Sequence, residues 1–244
     1  MNYLLTFLKG APVRPPGSGI QGSDQFCLDA LPGGLGRTYA WHCLLTAALA
    51  QAKHQFAYSL ESTLPFAAVM ATLLGCYPDQ VPHFLSRLTL ACPLLASFVD
   101  GHLLESLPEV VEPHEGDLTA WRGVARLFAA VLLARTPPGF RDRPPHLNPK
   151  LLWLTIAGLI RRPFFPQATA VVLLGLIEVG GFALRRLYGR QTDRLLKTVV
   201  KVIDNSEVLA YSAPELALVT CIEEGLKTGK FPGVFGCLMD DFWS

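Results

Sequence analysis

Charge is scarce in this chain. Only 17% of its 244 residues are Asp, Glu, Lys or Arg, and they sum to a net charge of +1. No global field therefore selects nucleic acid or an acidic partner, and any polyanion site must come from a local cluster. Cysteine is sparse as well. Its six positions (27, 43, 76, 92, 221 and 237) form no C-x-x-C, and each lies in or beside an apolar stretch. They read as reduced thiols acting as small core residues, which fits a reducing compartment.

Catalytic motifs are missing too. There is no G-x-x-x-x-G-K-[ST] loop, no G-x-S-x-G elbow, and no pair of His at H-x-x-x-H spacing. Gly17-Ser18-Gly19-Ile20-Gln21-Gly22 has dinucleotide-fingerprint spacing, but Pro15-Pro16 stand where a strand is required, so it reads as a flexible loop. No period-2 run marks a strand. The longest apolar window, Ala168 to Leu184, contains Glu178, Gly175, Gly180 and Gly181. A membrane span needs about 20 residues nearly free of charge, so a central soluble helix is expected, with no membrane insertion. Met1 to Gly10 is apolar but lacks a basic flank, and is not read as a secretory signal.

Apolar residues are what the chain has in quantity. Half of it is hydrophobic, enough for a sizeable core. Residues 1–37 are punctuated by Pro and Gly and read as an irregular arm, with one short helix near Tyr3 to Lys9. From Thr38 onward the apolar spacing is helical. Helices are predicted over Thr38–His54, Leu64–Cys76, Asp79–Ala91, Thr119–Ala134, Pro149–Ile160, 167–187, Gln191–Ile203 and Ala213–Thr228. A short helical turn follows Cys92-Pro93. Asn148 is placed to cap the helix that Pro149 opens. His102 to Asp117 reads as a solvated acidic loop holding Glu105, Glu109, Glu112, Glu115 and Asp117. The fold class is all-α, and short connections suggest antiparallel helix pairs stacked as an α-solenoid.

Two charged features stand out. Arg190, Arg194, Lys197 and Lys201 are spaced 4, 3 and 4, which puts them on one face of a helix opposite Leu195, Val199 and Val202. Either this is a solvated face or it meets a polyanion. Like charges at such spacing repel by a few tenths of a kcal/mol, and only Asp193 offsets them locally. The second feature is Glu178, alone among Leu174, Leu176, Ile177 and Val179. A carboxylate buried there needs a partner. Arg185 and Arg186, on the same segment, are candidates, and exposure between helices is the other possibility.

Several stretches resemble one family in order. Leu176-Ile177-Glu178-Val179, continuing through Gly181, Ala183-Leu184 and Tyr188, looks like the signature helix in the C-terminal domain of the nuclear-pore mRNA export mediator, Gle-one. Gly123 to Ala130, Leu147-Asn148 with Trp153, Leu64-Pro65-Phe66, Cys92-Pro93 and Phe242-Trp243-Ser244 resemble further family segments. The resemblance covers roughly residues 38–244. It pairs an Arg-Leu-x-Ala-Ala helix with a Leu-x-Glu-Val helix, which implies that Arg126 and Glu178 meet across adjacent helices, ahead of Arg185 and Arg186. It implies a HEAT-like α-solenoid, similar to the middle domain of a translation initiation scaffold. It also implies a non-enzymatic mRNA export factor, working in the cytoplasm and at the cytoplasmic side of the nuclear pore complex. Such a factor binds a DEAD-box RNA helicase, stimulates its ATPase, and docks an FG-type nucleoporin, with no sequence-specific nucleic-acid binding of its own.

The family's fungal members bind inositol hexakisphosphate as a tether to the helicase. Here the resemblance offers Arg87 for that pocket, with Lys197 or Lys201 from the late helix. The two residues before Cys92-Pro93, often Lys-Lys in the family, are Leu90-Ala91 here. Two pocket charges are therefore missing, and the basic face of Arg190, Arg194, Lys197 and Lys201 has an acidic surface of the helicase as its other expected partner. A generic HEAT-type scaffold, for example in translation initiation, is the alternative reading.

Overall fold

The computed structural model describes residues 35–98, 114–141, 144–161, 166–205 and 211–233. Among them every regular element is helical: α1 (Leu35–Gln51), α2 (Leu60–Cys76), α3 (Val81–Ala91), α4 (Glu115–Leu133), α5 (Pro149–Arg161), α6 (Pro166–Tyr188), α7 (Arg190–Asp204) and α8 (Ala213–Thr228). A π-helical turn, Ala52–Phe56, follows α1, and 3-10 turns occupy Pro78–Gln80 and Pro93–Phe98. Most of the predicted arm, the Gly17–Gly22 loop, the acids Glu105, Glu109 and Glu112, and the closing Phe242-Trp243-Ser244 lie outside the described residues.

The chain forms two compact units, residues 1–48 and 49–244. The described part of the first is the body of α1, in which Trp41, Leu45 and Ala48 are buried. In the second, α6 is the central element. It packs on α4, α5, α7 and α8, while α4 also receives α2, α3 and the π-turn. Every residue from Ala168 to Gly181 is buried. Over its most apolar window α6 is 83% buried within the molecule, so its hydrophobic surface is spent on neighbouring helices.

Caps explain where the boundaries moved. α2 begins at Leu60, not Leu64, because Ser59 accepts the Ser62 N–H at 3.3 Å and its carbonyl takes the Ser62 and Thr63 hydroxyls, each at 3.0 Å. Pro65 thus sits within the helix, where its missing N–H forfeits one backbone bond. The expected acidic loop gives way earlier than its sequence suggests. Glu115, Gly116 and Asp117 form the first turn of α4, and Asp117 accepts the His114 backbone N–H at 3.3 Å. An acid is favourable there because it faces the positive end of the helix dipole. The Asn148 cap forms as expected, with Lys150 N–H donating to Asn148 Oδ1 at 2.9 Å. α8 is held at its start by Glu215, which accepts the Ser212 N–H at 2.8 Å.

Glycines at helix crossings act by absence of a side chain. A Cβ on Gly123 would lie 1.9 Å from the Ala52 carbonyl oxygen, and one on Gly175 2.8 Å from the Arg122 carbonyl oxygen. Gly116, on the exposed first turn of α4, has nothing within 4 Å. Gly116→Ala is therefore expected to leave stability unchanged or raise it by up to about 1 kcal/mol, read from a urea midpoint.

Candidate functional site

A three-residue ion cluster joins α4 to α6. Arg126 Nε donates to Glu178 Oε2 at 2.9 Å, and its NH2 lies 2.8 Å from the same oxygen. Its NH1 turns the other way and donates to the carbonyls of Phe56 and Ala57, both at 2.9 Å. One guanidinium thus fixes α6 and closes the π-turn. Sequence reasoning named Arg126 but missed Arg122, whose NH2 pairs with Glu178 Oε1 and whose Nε donates to Oε2 at 3.2 Å. The signal was present: Arg122 precedes Arg126 by four residues and so shares its helix face. The alternatives Arg185 and Arg186 do not serve Glu178. Arg185 reaches instead to the Gly225 carbonyl, at 2.9 Å, and Asp193, at 3.0 Å.

Burial drives the Arg126 pKa down from its ordinary value, and the Glu178 carboxylate opposes that shift. Arg126 is 5% exposed and Glu178 7%, so two opposite charges are buried in contact and removing either strands the other. Beside them α4, α6 and α8 border an open cleft of about 480 Å³, lined by Arg122, Glu178, Leu216, Cys221, Glu224 and Lys230 among others. Burial, with Glu178 and Glu224 nearby, pushes the Cys221 thiol up to about 12, and burial pushes Cys92 to about 12 as well. Thiolate is the reactive form, so both are inert at neutral pH. Iodoacetamide with peptide mapping is expected to label exposed Cys43 in the native protein and Cys92 only after unfolding. Among the described residues no group of His, Cys, Asp and Glu is arranged to hold a metal.

The basic row stands apart from this cluster, on α7. Arg190, Arg194, Lys197 and Lys201 are all exposed, while Thr192, Leu195, Leu196 and Val199 are buried beneath them. The sharp turn from α6 is made at Gly189, whose φ of +51° suits a residue without a Cβ. Arg87 lies half-buried on α3, which packs on α4 and the Pro93–Phe98 turn. α7 packs on α5, α6 and α8, and α5 also packs on the Pro93–Phe98 turn.

Residues 119–200 match the family model described as GLE1-like protein. Across 98% of its length the chain is 25% identical to the mRNA export factor Gle1 of Drosophila melanogaster, and across the same share 24% identical to GLE1 of Rattus norvegicus. The matched stretch, residues 119–200, is GLE1-like. The chain spans about a third of the length of the curated relatives it matches, 36% and 35% respectively. Its fold is shared with a chain of a solved yeast complex, described as the C-terminal domain of a Dbp5 variant bound to Gle1 and IP6. The TM-score is 0.66 with 18% identity, covering 81% of this chain and 71% of that one. The GLE1-like stretch runs from α4 to near the end of α7. It includes Arg122, Arg126, Glu178 and three cations of the row, while Lys201 and Arg87 fall outside it.

Proposed function

We propose that this chain is the helical domain of an mRNA export factor that binds a DEAD-box RNA helicase and stimulates its ATPase at the cytoplasmic face of the nuclear pore. The observation that carries the reading is the alignment along 98% of the chain with proteins named mRNA export factors. The shared fold with a chain from a Dbp5–Gle1 complex supports it. In this reading residues 38–244 form a HEAT-like stack, and the domain does no chemistry of its own. It acts by binding one arrangement of the helicase better than another, which is what shifts a population. A rigid framework suits that role, and the cluster of Arg122, Arg126 and Glu178 locks α4 to α6. An FG-type nucleoporin is a proposed further partner.

Inositol hexakisphosphate is the proposed tether to the helicase, with Arg87 as the cation offered to it. The α7 row is proposed to meet a polyanionic counterpart. The test is ATPase turnover of the cognate helicase with RNA present, with the chain and inositol hexakisphosphate added separately and together. The chain alone is expected to raise turnover, and the inositol phosphate to raise it further, with Arg87→Ala blunting the second effect. Turnover unmoved by the chain under all of these conditions would overturn the reading.

A further inference from the structure

We propose that the outward face of α7 binds single-stranded RNA through its phosphates, without regard to sequence. This names a counterpart for the row and rests on reading that row as a polyanion site, not on helicase stimulation.

The geometry is a line, not a cup. Arg190, Arg194, Lys197 and Lys201 follow one another at about one-turn intervals, and at 1.5 Å per residue the ends stand about 16 Å apart along the axis. A compact phosphate cluster on a small ring meets only part of such a line at once. An extended phosphodiester chain meets all of it, because its charge repeats at every nucleotide. Register then does not matter, whereas an acidic protein surface would need carboxylates at matched positions.

Both acids of the helix are engaged away from the row. Asp193 lies 3.0 Å from Arg185 Nε, and Asp204 accepts the Tyr211 hydroxyl. Among the described residues, none of the four cations forms an ion pair. Arg190, the first residue of α7, sits where the helix dipole disfavours a cation. Its placement therefore costs stability in the free protein, which an incoming anion would offset. With a net charge of only +1, the chain offers little general attraction, so binding would be confined to this row. Phosphate contacts position a strand without reading bases, so no sequence preference is expected.

The test is fluorescence anisotropy of a labelled oligouridine with the full chain, titrated at several salt concentrations. Four phosphate contacts predict a log–log salt slope of about −2.8, a loss of about 50-fold in affinity between roughly 50 and 200 mM salt. Lys197→Gln with Lys201→Gln is expected to halve the slope to about −1.4, or about seven-fold over the same range. Arg194→Lys keeps the charge and is expected to keep the affinity. All three positions are exposed, and matched thermal melts verify that the variants fold. Three results would each overturn the proposal. One is absence of binding at the lowest salt. The second is a slope unchanged in the double variant. The third is displacement by one equivalent of inositol hexakisphosphate, with that ligand's own affinity lost in the same variant. RNA binding with no ATPase stimulation would leave this proposal standing and remove the functional reading above.

Discussion

Glu178→Ala is expected to destabilise the protein by about 3–5 kcal/mol, because it strips the partner from a buried guanidinium. Arg126 is 5% exposed and cannot turn to water, since its NH1 is held by the carbonyls of Phe56 and Ala57. Arg122 loses both of its contacts to Glu178 at the same time, but its side chain is 32% exposed and can rehydrate. The size of the effect therefore comes from Arg126 alone. For a chain of this length the loss corresponds to roughly 6–20 °C in melting temperature. Urea unfolding followed by circular dichroism measures it directly. The double variant Arg126→Met with Glu178→Leu is expected to be more stable than Glu178→Ala, since apolar replacement of both partners removes the stranded charge. A cost under about 1 kcal/mol for Glu178→Ala would show that the pair contributes nothing specific to the joint between α4 and α6.

Gly123→Ala is expected to be comparably damaging by the opposite mechanism, overfilling. The new Cβ would sit 1.9 Å from the Ala52 carbonyl oxygen and 2.8 Å from the Ala57 nitrogen. Both are backbone atoms, so no side chain can rotate aside. α4 must part from the π-turn, which also strains the Arg126 contacts with Phe56 and Ala57. Ordinary overpacking costs about 1–3 kcal/mol, and a backbone clash of this depth belongs at or above the top of that range. Gly116→Ala, on the same helix with open space around it, separates this effect from helix propensity. Equal urea midpoints for the two variants would contradict the close crossing at Gly123.

How far the fold and the site were legible varied by feature. Ala213–Thr228 was read to the residue because Ser212, Pro214 and Glu215 form a local cap and first turn. The start of α2 was missed because Pro65 looks like a first-turn residue, while the cap that decides the matter is Ser59, six positions earlier. Glu115 and Asp117 looked like loop acids because acid-rich segments and acidic first turns have the same composition. The alternation of bases and apolar residues on α7 was readable outright, since a helix converts spacing into faces.

The partner of Glu178 was open between Arg126, Arg185 and Arg186 as long as only spacing was considered. Resemblance favoured Arg126, and Arg122 went unnamed. Arg185 was nearer in the chain, yet the fold sends it to Gly225 and Asp193.

By itself, then, the sequence determined the helices, the apolar face of each and the line of cations on α7, because these follow from periodicity within a single segment. Only the tertiary structure decided which charges meet and how closely α4 passes the π-turn at Gly123. Those depend on contacts between segments some 50 to 70 residues apart, such as Arg126 with Glu178 and with Phe56, and no local pattern encodes the distance across them.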